Sequence, residues 1–318
     1  MLARLLAASA ALILFASGPA VAADTLRVAK SPGYLFAYLP LDVGLAHGLF
    51  QAQGLDIKEI VFEGAAKMDQ AVVAGAVDIE LGSPMDMSVI AKGMPAKAIA
   101  VIAQPMTEFV ILVPYDSPLK TLDDLKGKTF GIATIGSITE WCVLELAKVK
   151  GWSRDDVHMV GIGAGNASAS AAMKAHLVDA AVGTATAAVV FEREHIARRF
   201  AGVSDYAPPF IAHVMTATDA MVKEHPDVIR RFVTAWFQAV ALMRHDRADT
   251  IRIGQPVTGL SEADQAAEYD NLMPVETADG HFDPASLALI GQSFVDLGIL
   301  GKAPDMAKLE TEQFLPAR

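Results

Sequence analysis

Short apolar runs alternate with stretches of helical period along most of this chain, and that rhythm leaves few folds open. A run of four to eight apolar residues followed by an amphipathic helix buries itself in a largely parallel sheet covered by helices. Residues 26–29, 55–62, 77–81, 98–103 and 109–113 read as strands, with helices over 37–46, 68–74 and 85–92. A second series has strands at 129–133, 157–161, 180–183 and 211–216 and helices at 137–150, 168–177 and 186–195. From Met221 onward the pattern is helical. Ile229, Phe232, Val233, Trp236, Val240 and Met243 share one 3.6-residue face, which makes Trp236 a core residue.

A weak internal repeat joins the two series. Val77-Asp78-Ile79-Glu80-Leu81-Gly82-Ser83-Pro84 resembles Val178-Asp179-Ala180-Ala181-Val182-Gly183-Thr184-Ala185. Each copy follows a short helix and reads as a strand ending in glycine and a hydroxyl residue. Upstream of each, another strand opens into a turn and helix, at Gly33-Tyr34 and at Thr134-Ile135-Gly136-Ser137. Two similar α/β lobes follow, each presenting strand C-termini and helix N-termini at one edge, where open α/β sheets bind ligands.

Composition narrows the function. The 318 residues suffice for two domains, and Lys+Arg of 26 against Asp+Glu of 37 gives a net charge of -11. With no basic run, the chain offers a nucleic-acid backbone little attraction. One cysteine, Cys142, excludes an intrachain disulfide framework and a cysteine-rich zinc or iron–sulfur centre. At the N-terminus, Arg4 precedes an apolar run over 5–17, then Ser17-Gly18-Pro19 and the small residues Ala20-Val21-Ala22-Ala23. This is the order of a secretory signal peptide, expected over residues 1–23. No cysteine lies at that cleavage site, so the expected product is periplasmic and not lipid-anchored. The longest later apolar run without charge, residues 180–191, is too short to span a bilayer.

Several segments carry a family resemblance. Asp42-Val43-Gly44-Leu45-Ala46, Gly48-Leu49-Phe50 and Gly54-Leu55-Asp56-Ile57 resemble the opening of periplasmic solute-binding proteins of the nitrate/sulfonate/taurine and thiamine-pyrimidine-precursor class, which serve ABC transporters. Gly75-Ala76-Val77-Asp78, Ser117-Pro118 and the run Leu122-Asp123-Asp124-Leu125-Lys126-Gly127-Lys128-Thr129-Phe130-Gly131 fit the same pattern, and the similarity covers residues 25–240. The resemblance implies a two-lobed type II periplasmic binding protein fold, closing on its ligand by a hinge and delivering it to a permease and an ATPase. The expected lobes are 24–113 plus 214–318, and 114–213, in a monomer that is not an enzyme and has no cofactor or metal. Two other readings stay open: an enzyme on the same fold, of pyrimidine-synthesis or menaquinone-pathway type, and an exported sensor domain. The pyrimidine-synthase relatives carry a cysteine-rich motif that a chain with one cysteine lacks.

The ligand-binding candidates come from the strand ends. After the first strand, Gly33 lets backbone approach a ligand while Tyr34, Phe36 and Tyr38 offer flat faces and phenols, or else pack the first helix on its sheet. Ser83, before Pro84, and Thr134, Gly136, Ser137 and Thr139 place hydroxyls and free N–H groups at helix starts, suited to an oxyanion or to simple capping. Gln104, Trp141, Thr184 and His213 complete the set; Trp141 and His213 are equally readable as core, and Thr184 departs from the family pattern. Aromatic faces with hydroxyls suit an organic sulfonate or carboxylate. Glu108 and Glu140, with no arginine clearly placed to answer an anion, suit an amine or aminopyrimidine instead. Gly161-Ile162-Gly163-Ala164-Gly165 lacks dinucleotide-binding spacing, the eight histidines form no H-x-x-x-H pair, and Cys142 reads as a small buried hydrophobe.

Overall fold

The computed structural model describes residues 23–62 and 64–317, so the expected signal peptide, Ala23 apart, lies outside the described residues. Ten strands form: β1 (Asp24–Lys30), β2 (Leu55–Val61), β3 (Ile79–Gly82), β4 (Ala96–Ala103), β5 (Phe109–Pro114), β6 (Thr129–Ile132), β7 (His158–Gly161), β8 (Ala180–Thr184), β9 (Ala197–Gly202) and β10 (His213–Thr218). They make two five-stranded sheets, ordered β2-β1-β3-β10-β4 and β7-β6-β8-β5-β9. The orders are equivalent, with β1, β2, β3 and β4 standing where β6, β7, β8 and β9 stand in the second sheet. In each sheet the fourth place belongs to a strand from elsewhere in the chain, β10 or β5, laid antiparallel to both neighbours. No helix among the described residues is long and apolar enough to cross a membrane.

The first lobe's boundary differs from the expected one. The sequence places residues 109–113 with the first series, but β5 pairs with β8 and β9 and belongs to the second sheet. The chain therefore changes sheet within residues 104–108. Phe109–Pro114 is buried on both faces, so its composition suits a central strand of either sheet, and only its hydrogen-bond partners decide. The return crossing lies within residues 203–212. Strand β9 has no counterpart in the sequence reading, because adjacent Arg198 and Arg199 interrupt its apolar character; as an edge strand it tolerates them.

The repeat has a physical basis in one aspartate per lobe. Asp78 Oδ2 accepts the backbone N–H of Arg27 at 2.8 Å, and Asp78 N donates back to the Arg27 carbonyl at 2.9 Å. Asp179 does the same to Thr129, at 2.8 Å in both directions. Each aspartate ties the start of its lobe's central strand to the first strand beside it, which sets the parallel register of β1 with β3 and of β6 with β8. Asp78 also takes the Arg27 guanidinium, at 2.9 Å from Nε and 2.5 Å from Nη2.

One buried core runs through the first sheet and across the interface to Ile111, Phe130 and Trp141 of the second. A smaller one, with Val110, Leu112, Met173 and Phe191, covers the second sheet's far face. The helix Pro226–His245 buries the face anticipated from its period, Trp236 included. Replacing either clamp aspartate strands an N–H at a strand edge. Asp78→Ala and Asp179→Ala are each expected to lower unfolding free energy by about 1–3 kcal/mol, Asp78→Ala the more, as read by urea denaturation.

Candidate functional site

The two sheets face each other with the C-terminal ends of their parallel strands, the edge at which α/β sheets collect ligands. The loop after β1 and the loop after β7 enclose a cavity of ≈ 770 Å³ between the lobes. Pro32, Gly33, Tyr34, Val61 and Phe62 line it from one side, and residues 162–168 from the other, with Val257 at the margin. The Tyr34 phenol spans the gap, within hydrogen-bonding reach of the Ala164 carbonyl (3.2 Å) and Asn166 Oδ1 (3.1 Å). Burial and the charge of Glu108 push that phenol up to about 12. Gly33 is required here, since a Cβ would lie 2.8 Å from Val61 Cγ1. Among the described residues the charged side chains in the lining are Lys30, Asp42 and Glu59. The Lys30 ammonium, 2% exposed, sits 3.0 Å from Asp42 and 2.8 Å from Glu59, so one cation answers two carboxylates.

A second polar group lies where the chain changes sheet. His213, at the start of β10, bonds Glu108 Oε2 through Nε2 at 2.6 Å and the Tyr38 hydroxyl through Nδ1 at 3.1 Å. Phe109 stacks on the imidazole at 5.8 Å. Glu268, from the helix Glu262–Leu272, takes the Thr186 hydroxyl and, at 3.2 Å, the Gln265 amide. Burial first, and then the charge of Glu108, push Glu268 up to about 8. Glu276, 3% exposed, is pushed well up by the same two causes, and neither of its carboxylate oxygens has a donor among the described residues. Glu108 Oε1 has none either.

A third group underlies the Ser83 turn. Carboxylate oxygens of Asp69, Glu80 and Asp86 lie within 4.8 Å of one another, the described residues' one grouping of this kind suited to a metal. Desolvation raises all three carboxyls, Asp69 to about 6, and among the described residues Asp69 Oδ1 and both Glu80 oxygens have no hydrogen-bond partner. Asp86 also accepts the Ser83 N–H at 2.7 Å.

The anticipated residues divide among these surroundings. Gly33 and Tyr34 line the cavity. Tyr38 and His213 are buried in the Glu108 group, and Gln104 is half-buried next to it, its N–H donated to the Val275 carbonyl. Ser83 and Thr184 occupy equivalent strand ends, and both cap the turn that follows, accepting from Met85 N at 2.9 Å and Ala187 N at 3.1 Å. Thr134, Gly136 and Ser137 form the turn before the helix Ile138–Val149, and Thr139 lies in its first turn. Ser137 Oγ donates to the Thr134 carbonyl at 2.6 Å, and Thr139 Oγ1 accepts Ala133 N at 2.8 Å.

Three expectations need correction. Phe36 is fully buried, edge-on to Tyr269 at 6.2 Å, and presents no face to a solute. Trp141, 2% exposed, stacks on Phe210 at 4.1 Å, and its edge borders a separate groove of ≈ 310 Å³ beside Lys148 and Trp152. The helix start at Ser137 is no open oxyanion seat either. Glu140, in its first turn, takes the Gly136 N–H at 2.6 Å and the Arg154 guanidinium at 2.6 Å. A carboxylate already answers that N-terminus.

Lys30, Asp42, Glu59, Glu268, Glu276 and the 162–168 loop were not singled out in the sequence. The glycine run at 161–165 was the available signal: it follows a parallel strand, and it belongs to a ligand cavity although it fails the dinucleotide pattern. Glu268 and Glu276 come from the helical C-terminal part and reach the cleft only through tertiary packing.

Two sheets of this order, joined by two crossings of the chain and facing across a cleft, make the two-lobed fold of the periplasmic binding proteins. Within that class the chain belongs to the NMT1/THI5-like family, whose profile matches residues 36–248. Among solved structures, the alkanesulfonate-binding protein SsuA from Xanthomonas axonopodis pv. citri, bound to MOPS, is 20% identical with a TM-score of 0.78, covering 92% of this chain and 99% of its own. The periplasmic aliphatic sulphonate binding protein SsuA from Escherichia coli is also 20% identical, with a TM-score of 0.75 over 91% of this chain and 92% of its own. The desulfurization enzyme DSZB is 16% identical, with a TM-score of 0.67 over 92% of this chain and 97% of its own. No curated protein sequence matches the chain. At these identities the structural likenesses carry the fold.

The raised Glu268 carboxyl has a consequence for stability. Its folded value of about 8 lies above the ordinary glutamic value of 4.5, so the native state binds the proton more tightly than the unfolded state. That stabilisation is complete below pH 4.5 and is lost as pH rises toward 8. The melting temperature is therefore expected to fall between pH 5 and pH 8, and Glu268→Gln to flatten that decline, as read by calorimetric scans of both proteins.

Proposed function

We propose that this protein is the exported solute-binding component of an ABC importer, holding a small organic solute between its two lobes and delivering it to a membrane permease and its ATPase. The observation that carries this reading is the interlobe cavity with Tyr34 reaching across it to the opposite lobe. A cavity of ≈ 770 Å³ lies in the range that encloses one small molecule. Its walls come from two separately organised sheets, so an occupant touching both favours the closed arrangement over the open one by the difference of its contacts in the two. Family membership and the likeness to sulfonate-binding proteins support this role; a sulfonate, a carboxylate and a pyrimidine-like compound are the solute classes it brings into view. The chain acts as a monomer in this reading.

An enzyme on the same fold is the alternative that the likeness to DSZB favours. The chain's one cysteine offers it no nucleophile: Cys142 is fully buried within the helix Ile138–Val149, and desolvation pushes its thiol far up. Several of the remaining polar groups of the cleft bond one another in pairs and cappings, an arrangement suited to holding a solute.

The test is a thermal-shift panel on mature protein refolded from denaturant, spanning alkanesulfonates, carboxylates, amines and aminopyrimidines. A solute at 100 times its dissociation constant adds about 2.7 kcal/mol and is expected to raise the melting temperature by roughly 5 °C or more. The same solute should compact the protein in solution scattering. Tyr34→Phe is expected to weaken its affinity by roughly three- to tenfold, by calorimetric titration, with the solute-free melting temperature unchanged. Chemical turnover of a bound compound overturns the reading.

A further inference from the structure

The buried acids of the cleft bear on what the solute is. Glu276 is 3% exposed and Glu108 is 2% exposed, and between them three carboxylate oxygens have no hydrogen-bond donor among the described residues. A buried acceptor left without a donor is costly, and native proteins rarely keep one without a reason. Glu268 takes Thr186 and Gln265, and Glu140 takes Gly136 N and Arg154. Asp69 Oδ1 and both Glu80 oxygens are likewise without a partner among the described residues, but they stand with Asp86 in one group of carboxyls within 4.8 Å of one another under the Ser83 turn. Glu276 and Glu108 lie apart from that group, where the chain changes sheet.

Both residues belong to the edge that faces the cleft. Glu276 pairs with Ala103 at the end of β4, and Glu108 directly precedes β5. His213, paired with Ala103 across the sheet, joins them through its bond to Glu108. Glu108 is close enough to raise the carboxyl of Glu276 and the phenol of Tyr34, whose ring lines the cavity. The cavity wall is itself short of positive charge. Among the described residues its one ammonium, Lys30, lies between Asp42 and Glu59, and the lining contains no arginine.

Resting on the solute-binding reading above, we infer that this cleft takes a solute with a protonated amine or amidine head, whose N–H groups are received by Glu276 and by the free oxygen of Glu108. Such a head supplies donors to all three acceptors, which a sulfonate or carboxylate cannot do.

Matched pairs of probes test this: benzylamine against benzenesulfonate and benzoate, and butylamine against butanesulfonate, titrated calorimetrically into the refolded protein at pH 7. The amine of a pair is expected to bind at least roughly tenfold more tightly than its anionic counterpart. Glu276→Gln, nearly isosteric, should abolish that preference while leaving the solute-free melting temperature unchanged or higher. A tighter-binding sulfonate or carboxylate overturns the charge assignment and leaves the solute-binding reading intact. So does a preference that survives in Glu276→Gln, or zinc or calcium ions binding with no preference among the organic probes. If neither member of any pair binds, the charge assignment falls, and the solute-binding reading is then decided by the wider thermal-shift panel.

Discussion

The hydrogen bond between His213 and Glu108, 2.6 Å long and buried at both ends, ties together the two places where the chain changes sheet. Glu108 ends the outward crossing and His213 ends the return. The strands that follow, β5 and β10, each lie antiparallel between two strands of a sheet whose other connections are local. Breaking a buried pair of this kind leaves an uncompensated polar group, a cost of several kcal/mol in comparable cases. The two sheet edges that frame the cleft are therefore held in register at this point, and Tyr38 and Phe109 fix the imidazole from its other sides.

Around this tie the protein concentrates carboxyl groups rather than cations. Glu80, Asp86, Glu108, Glu268 and Glu276 are all nearly or fully buried, and the electrostatic influence of Glu108 extends to Tyr34, Tyr38, Glu268 and Glu276. Desolvation is the first cause of every raised carboxyl among them, with like charge adding to it. Such groupings cost stability unless protons, donors or a bound cation compensate them, and the cleft shows two different solutions. Glu268 rests on a hydroxyl and an amide, and the Lys30 site on an ammonium between two acids.

Much of the architecture was legible because the relevant interactions are local. The helix periodicity over 226–245 reports its buried face directly. The Val-Asp repeat marks one aspartate clamp per lobe, and the Gly plus hydroxyl pair after it marks the caps at Ser83 and Thr184. What misled was residue type without partner. Phe36 and Trp141 are aromatic and near the strand ends, yet Tyr269 and Phe210, distant in sequence, occupy their faces. Glu140 was read as a possible solute contact, but Arg154 and Gly136 N consume both its oxygens.

By itself the sequence determined the alternation of strand and helix, the duplication of the lobe and the edge at which ligands collect. Each of these follows from residues a few positions apart, where chain geometry dictates what can meet. Tertiary structure alone decided that β5 joins the second sheet, that the glycine loop at 161–165 faces Tyr34, and that Glu276 and Glu268 come from the C-terminal helical part to stand with Glu108. Those outcomes depend on pairings across a hundred residues or more, and on which buried charge finds a partner. Neither is encoded in any short window of the chain.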